Sequence, residues 1–134
     1  MNIKCKLIEN LRSIVDNGRG HSIILDLPKE NGGDNLGPTA LELAIMSLAG
    51  CITTIFALIA KNSKIPIESL EVIANAEKEA KSPKLSFVKI KALVKSNASK
   101  EILETIWNKT LQTCPVGAIF EFEIKPQYEM EIIT

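Results

Sequence analysis

Three cysteines, Cys5, Cys51 and Cys114, are the residues of this chain whose chemistry could define a function. A thiolate can act as a nucleophile, bind a metal or exchange with a disulfide. The sequence has no Cys-x-x-Cys spacing and only one histidine, His21, whereas a structural zinc site takes four nitrogen or sulfur ligands. We therefore discount a metal site. Each cysteine is then a candidate either for thiol chemistry or for burial as an inert apolar side chain.

Cys51 lies near the middle of the most apolar stretch of the chain, residues 43–60, which contains no charged side chain. The preceding Thr39-Ala-Leu-Glu42 sequence fits a capping box, in which the hydroxyl and the carboxylate satisfy two free amides at a helix start. The sequence thus predicts a helix over residues 40–62 and gives Glu42 a structural role of its own. Taken alone, Cys51 would be an inert buried cysteine.

The apolar helix could be explained in two ways. An uncharged run of eighteen residues is at the lower limit for a membrane span, but Ser47, Thr53 and Thr54 dilute it, and flanking aromatic belts and basic clusters are absent. A helix that is apolar on all sides is otherwise a central helix covered on every side. A chain of 134 residues has few elements to cover it. We therefore predict a homodimer with this helix near the interface, and a membrane anchor is the unfavoured alternative.

Cys114 stands at the junction of two predicted helices. An amphipathic pattern predicts one helix over residues 100–113, and Pro115 cannot continue it. Proline is favoured at the first position of a helix, so Cys114 is predicted to be the N-cap of a short helix through Ile119. Free amides and the positive end of the helix dipole would then face its sulfur and lower the thiol pKa.

Strands are predicted wherever apolar and polar residues alternate. They cover residues 3–7, 11–15, 22–27, 72–76, 88–94 and 128–133. Cys5 alternates with lysines and is expected to face inward as an inert residue. Asn17-Gly18 is a strong hairpin signal, which places Arg19 just past a turn. In the long hairpin formed by the fourth and fifth strands, Glu77 is expected to pair with Lys89.

Composition restricts the class of protein. Sixteen acidic and sixteen basic residues balance, so no strong electrostatic field indicates nucleic acid or an anionic membrane as a partner. The N-terminus lacks the apolar core of a signal peptide, which predicts a cytoplasmic protein whose thiols are kept reduced. The length suits a single domain over residues 1–134.

Two motifs together resemble the OsmC/Ohr family of thiol peroxidases. They are the Gly37-Pro-Thr-Ala-Leu-Glu-Leu helix start that leads to Cys51, and Cys114-Pro-Val-Gly 63 residues later. The resemblance implies an α+β fold with antiparallel sheets packed on central helices in an intertwined homodimer. It also implies reduction of organic hydroperoxides or hydrogen peroxide. Cys51 would be the peroxidatic cysteine, Cys114 would resolve it as a disulfide, and an external dithiol would be the reductant, with no metal, haem or other cofactor.

The resemblance extends to the residues that activate the thiol. In the family's peroxidases an arginine held by a glutamate stabilises the peroxidatic thiolate, and Arg19 approximately matches that arginine. The glutamate usually stands where this chain has Leu41, and Glu42 matches instead the Glu-Leu that follows. The chain is thus similar to an OsmC-like branch with Gly-Pro-x-x-x-Glu-Leu. Arg19 and Glu42 are secondary candidates for the site.

Two classes of function remain open at this point. One is a thiol peroxidase that uses a small-molecule peroxide and a thiol reductant. The other is an OsmC-like protein without peroxidase activity, acting as a thiol–disulfide switch through the same two cysteines or as a binder of apolar ligands. Neither interpretation involves nucleic acid or a membrane.

Overall fold

The computed structural model describes residues 1–121 and 125–134 and has an α+β fold, as the sequence predicts. The chain separates into two compact units, Met1–Ala44 and Ile45–Thr134. In chain order the elements are β1 Lys4–Glu9, β2 Arg12–Asp16, β3 Ser22–Leu25, a 3₁₀ turn Lys29–Asn31, α1 Ala40–Asn62, β4 Ser69–Lys78, β5 Leu85–Lys95, α2 Lys100–Thr113, α3 Pro115–Phe120 and β6 Gln127–Ile132.

In the unit Met1–Ala44, the first three strands form an antiparallel sheet in the order β1-β2-β3. All six residues of β1 are exposed, including Cys5 opposite Val15. The prediction that Cys5 faces inward is therefore wrong for the single chain. Alternation of residue types shows which side chains share a face of a strand, but not whether another element covers that face.

Asp26 organises the loop that leads to α1. Its carboxylate accepts hydrogen bonds from the backbone amides of Leu27, Leu36 and Asp34, at 2.8, 3.1 and 3.3 Å. Burial opposes ionisation of this carboxyl group, but these three amides and the charge of Arg12 outweigh the burial and lower its pKa. A single side chain thus fixes the path of the chain before the long helix.

The predicted capping box begins α1. The amide of Glu42 donates to the Thr39 hydroxyl at 3.1 Å, and the amide of Thr39 donates to the Glu42 carboxylate at 3.0 Å. Both partners satisfy amides that a helix start otherwise leaves free. The capping role predicted for Glu42 is confirmed, and α1 spans the predicted residues.

Loss of the Thr39 hydroxyl should weaken the start of α1. We expect Thr39→Ala to lower the free energy of unfolding by about 1 kcal/mol, because one cap hydrogen bond is removed. Thr39→Ser keeps the hydroxyl and serves as the control. Urea unfolding followed by circular dichroism measures both variants, and equal stability of the two would contradict the capping role.

In the unit Ile45–Thr134, the sheet has the order β4-β5-β6. The β4–β5 pair is the predicted antiparallel hairpin, but β6 runs parallel to β5, with Tyr128 opposite Ile90. The antiparallel pairing implied for the sheets holds for β1–β2–β3 and for β4–β5, but not for β5–β6. The chain passes through α2 and α3 between the two strands, and a helical crossover of this length is what a parallel pair requires.

Lys89 and Lys91 of β5 form ion pairs with β6 and not with β4. Lys89 stands opposite Asn75, so the predicted pairing with Glu77 is wrong. The Lys89 ammonium lies 3.6 Å from a carboxylate oxygen of Glu129, and that of Lys91 lies 3.9 Å from the same carboxylate. These ion pairs lie on the solvent face of the sheet, so they contribute little to stability and help to set the register of β6.

Helix α1 buries only one of its faces within the chain. Leu48, Ile52, Phe56 and Ala60, spaced four residues apart, are buried in the core that the sheet and α2 complete. By length and composition α1 could cross a membrane, and 22% of its most apolar 18-residue window is buried. Its exposed residues include Leu58, so α1 presents an apolar face that no described element covers.

Candidate functional site

The structure brings together the two cysteines that the motifs predict. Cys51 lies in the middle of α1, and Cys114 lies between α2 and α3. The Cys114 thiol donates a hydrogen bond to the Cys51 sulfur, with 2.9 Å between the two Sγ atoms. Both cysteines are free thiols at this separation. A modest approach of the two sulfurs is therefore enough to form a disulfide.

Cys114 is the N-cap of α3, as predicted. The Gly117 amide donates to its sulfur at 3.2 Å, and Pro115 occupies the first helical position, where the missing N–H costs nothing. The end of α2 also stops here because proline follows. The Cys-Pro-Val-Gly sequence thus fixes the position of the Cys114 sulfur through the backbone.

The pKa of Cys114 is shifted in the direction opposite to the prediction. Burial of the side chain, its hydrogen bond to Cys51 and the proximity of the Cys51 charge raise the pKa to about 11. The amides of Gly117 and Val116 lower it, but by less than burial raises it. The predicted fall in pKa is therefore wrong. A helix N-terminus lowers a thiol pKa only when the sulfur is not desolvated at the same time.

Because of this shift, the reduced protein should lose stability as the pH rises through the alkaline range. The folded pKa of about 11 lies above the ordinary value of 9.0, so the contribution of this thiol to stability is present below pH 9 and is lost as the pH rises towards 11. We expect the free energy of unfolding to fall more between pH 8 and pH 10 in the wild type than in Cys114→Ser. Urea unfolding of reduced protein measures this difference, and equal losses would contradict the shift.

Access to the pair differs between the two sulfurs. Cys51 is half-buried, whereas Cys114 is 4% exposed. Both pack in the apolar core, where Phe56 and Trp107 lie in a tilted ring contact with centroids 6.5 Å apart. A small apolar molecule that reaches the pair from solvent would therefore meet Cys51 first.

The other predicted site residues lie in the unit Met1–Ala44. Arg19 is exposed in the β2–β3 turn, where its amide donates to the Asn17 side chain, and it forms no ion pair with any residue in the described ranges. Glu42 is exposed and caps α1. Within residues 1–121 and 125–134, no group of three or more histidine, cysteine, aspartate or glutamate side chains is placed to hold a metal ion.

Sequence reasoning did not single out Tyr128, which lies beside the cysteine pair. It is a partly buried residue of β6 that packs against the core containing Cys114. Burial raises its pKa, and so do the nearby charges of Cys114, Glu121 and Cys51. The sequence feature that could have identified Tyr128 is its position in the strand, since alternation in β6 places the only tyrosine of the chain on the core side.

Known proteins share the sequence pattern and the fold of this chain. The sequence profile of the OsmC-like protein family matches residues 32–129. No curated protein sequence matches the chain. Among solved structures, an OsmC-like protein from Mycoplasma pneumoniae superposes with a TM-score of 0.86 at 17% identity, over 99% of this chain and 96% of that one.

Two organic hydroperoxide resistance proteins share the fold with lower TM-scores. An organic hydroperoxide resistance protein from Elizabethkingia anophelis has a TM-score of 0.73 at 18% identity, over 99% of this chain and 97% of that one. An organic hydroperoxide resistance protein OsmC from Legionella pneumophila has a TM-score of 0.70 at 15% identity, over 98% and 97%. Since the profile covers most of the sequence and the solved structures share the fold, this chain belongs to the OsmC-like protein family.

Proposed function

We propose that this protein is a thiol peroxidase that reduces organic hydroperoxides or hydrogen peroxide. The observation that carries the proposal is the 2.9 Å separation between the sulfurs of Cys51 and Cys114, brought together from α1 and from the N-cap of α3. Two free thiols at this distance can pass through one oxidised intermediate to a disulfide without rearrangement of the fold.

Cys51 is the peroxidatic residue in this proposal, because its sulfur is the more accessible of the two and accepts the hydrogen bond from Cys114. Its thiolate attacks one peroxide oxygen, a sulfur–oxygen bond forms and the O–O bond breaks. The departing alkoxide takes a proton and leaves as an alcohol, or as water from hydrogen peroxide. Cys51 is oxidised to the sulfenic acid.

Cys114 resolves the sulfenic acid. Its thiolate attacks the Cys51 sulfur, the disulfide bond forms as the sulfur–oxygen bond breaks, and hydroxide leaves as water after protonation. An external dithiol then reduces the disulfide by two exchange steps, so the cycle uses no cofactor bound to the protein. The apolar core around the pair favours alkyl hydroperoxides and limits access of water to the sulfenic acid.

Family membership supports a role in redox chemistry or peroxide resistance. Solved structures with this fold include organic hydroperoxide resistance proteins from Elizabethkingia anophelis and Legionella pneumophila. The same two cysteines would also serve a thiol–disulfide switch. A switch differs from a peroxidase in that it reacts no faster with hydroperoxide than an ordinary protein thiol does.

The proposal includes a homodimer in the cytoplasm, without nucleic acid or membrane partners. The exposed apolar face of α1 supports the dimer, since a second copy would remove this face from water.

Arg19 is proposed as a source of positive charge for the Cys51 thiolate. Glu42 is fully explained as a cap of α1, although the resemblance also suggests it for the site.

Titration of free thiols tests the proposed function. One equivalent of cumene hydroperoxide should remove two thiols per chain within seconds and leave Cys5 reactive, and dithiothreitol should restore both. Mass spectrometry of the oxidised protein should identify a Cys51–Cys114 disulfide. Oxidation of wild-type thiols at the rate of free cysteine would contradict a peroxidase and support a switch.

A further inference from the structure

Tyr128 reaches the cysteine pair from the strand that completes the sheet. The parallel pairing of β6 with β5 sets Tyr128 opposite Ile90, a fully buried residue. Tyr128 alternates with exposed neighbours on either side, so its ring lies on the core side of the sheet. The side chain packs against the core that contains Cys114.

Gly117 is the point where the tyrosine and the resolving cysteine converge. A Cβ atom placed on this glycine would lie 3.3 Å from the Tyr128 hydroxyl oxygen and 3.5 Å from the Cys114 sulfur. Gly117 is buried, and its amide already donates to that sulfur. The absence of a side chain at Gly117 therefore leaves room for the hydroxyl and the sulfur to approach each other across it.

The hydroxyl is available as a donor. No described residue provides a hydrogen-bond acceptor for it, and its pKa is raised by burial and by the negative charges that the two cysteines would carry. A pKa above its ordinary value of 10.0 keeps the hydroxyl protonated at neutral pH.

Cys114 has a need for such a donor. The resolving step requires its thiolate, but burial raises the pKa of this thiol to about 11. Only a small fraction of the thiol is ionised at neutral pH. The Gly117 amide donates to the sulfur, the Val116 amide also favours its charge, and the S–H proton is directed at Cys51. Once Cys51 has become a sulfenic acid, a further donor would stabilise the charge on Cys114 and speed the attack.

We propose that Tyr128 is a positioning residue for the resolving step, whose hydroxyl donates a hydrogen bond to the Cys114 thiolate across Gly117. This role rests on the proposed peroxidase function. The Cys114 thiolate attacks the Cys51 sulfenic acid, the sulfur–sulfur bond forms, the sulfur–oxygen bond breaks, and the hydroxide leaves with a proton from solvent. The tyrosine keeps its proton throughout and acts through Cys114.

Tyr128→Phe tests the proposal because it removes the hydroxyl and keeps the ring. Reduced protein is mixed with cumene hydroperoxide, quenched in acid, and analysed by mass spectrometry for sulfenic acid and disulfide. We expect disulfide formation at pH 7.5 to slow about tenfold, with the formation of the sulfenic acid unchanged. The pH profile of disulfide formation should move to higher pH. Thr110→Val, which removes a buried hydroxyl bound to a helix carbonyl, is the matched control.

A second measurement does not depend on peroxidase activity. In a Cys5→Ser, Cys51→Ser background, the ¹³Cβ shift of labelled Cys114 reports its ionisation directly. We expect Tyr128→Phe to raise the Cys114 pKa by about one unit. An unchanged Cys114 pKa, or an equal change in Thr110→Val, would overturn the role of Tyr128. Failure of the proposed function is a separate result, seen as slow sulfenic acid formation in the wild type.

Discussion

Replacement of Cys51 by serine is expected to abolish the reduction of hydroperoxides. A serine hydroxyl is un-ionised at neutral pH and cannot replace a thiolate as the attacking group. We expect turnover of cumene hydroperoxide with excess dithiothreitol to fall on the order of 10³-fold or more, as for other lost nucleophiles. Consumption of the hydroperoxide, followed by ferrous–xylenol orange, measures the rate after the reaction of dithiothreitol alone is subtracted.

Cys114→Ser should separate the two chemical steps. The variant still forms the sulfenic acid at Cys51 at the wild-type rate but cannot form the internal disulfide. Dimedone should therefore label Cys51 in this variant and fail to label it in Cys51→Ser. Cys5→Ser is the control, because Cys5 lies exposed on β1 in the other compact unit. Equal hydroperoxide turnover in the wild type and Cys51→Ser would exclude Cys51 as the peroxidatic residue.

The two faces of α1 should respond differently to the same substitution. Leu48 is fully buried, so Leu48→Ala loses apolar burial and leaves a cavity in the core. We expect the free energy of unfolding to fall by about 2–5 kcal/mol. Leu58 on the same helix is 48% exposed, and Leu58→Ala should change the stability of the separate chain by less than about 1 kcal/mol.

The Leu58→Ala variant also tests the proposed dimer. If a second copy covers the exposed face of α1, the variant should weaken association, and its stability should depend on protein concentration less strongly than that of the wild type. Sedimentation velocity and urea unfolding at two concentrations measure these effects. A wild-type protein that sediments as a monomer would contradict the dimer, and equal destabilisation by the two substitutions would contradict the burial pattern of α1.

The sequence predicted the helix starts well because each start carries a local chemical signal. Thr39 and Glu42 begin α1 with a reciprocal cap, and Ser99 begins α2 by accepting the Ile102 amide. Pro115 then stops α2 and begins α3. All these signals act within one turn of helix, so they can be read without knowledge of the fold.

Strand partners were harder to predict because they depend on distant parts of the chain. The positive charge of Lys89 suggested an acidic partner in β4, but its ion-pair partner is Glu129, forty residues away along the chain. The direction of β6 depends on the path of α2 and α3, which no local pattern records. Cys5 alternates like a buried residue, yet its strand is exposed in the single chain.

The candidate site was predictable in its members and not in its electrostatics. The motifs identified Cys51 and Cys114, and the structure sets them 2.9 Å apart. The dipole of α3 suggested a lowered pKa for Cys114, but its burial, which depends on the complete core, has the larger effect. Tyr128 was missed because its proximity to Gly117 arises from the parallel sheet.

The separation of the two cysteines along the chain, 63 residues, has a consequence for biosynthesis. At 5–20 residues per second, a ribosome would deliver Cys114 about 3–13 s after Cys51. During that interval Cys51 lies on a nascent apolar helix and Cys114 has not yet been made. A sulfenic acid formed then could not be resolved within the chain. The newly made chain thus depends on external thiols to keep Cys51 reduced until Cys114 is available.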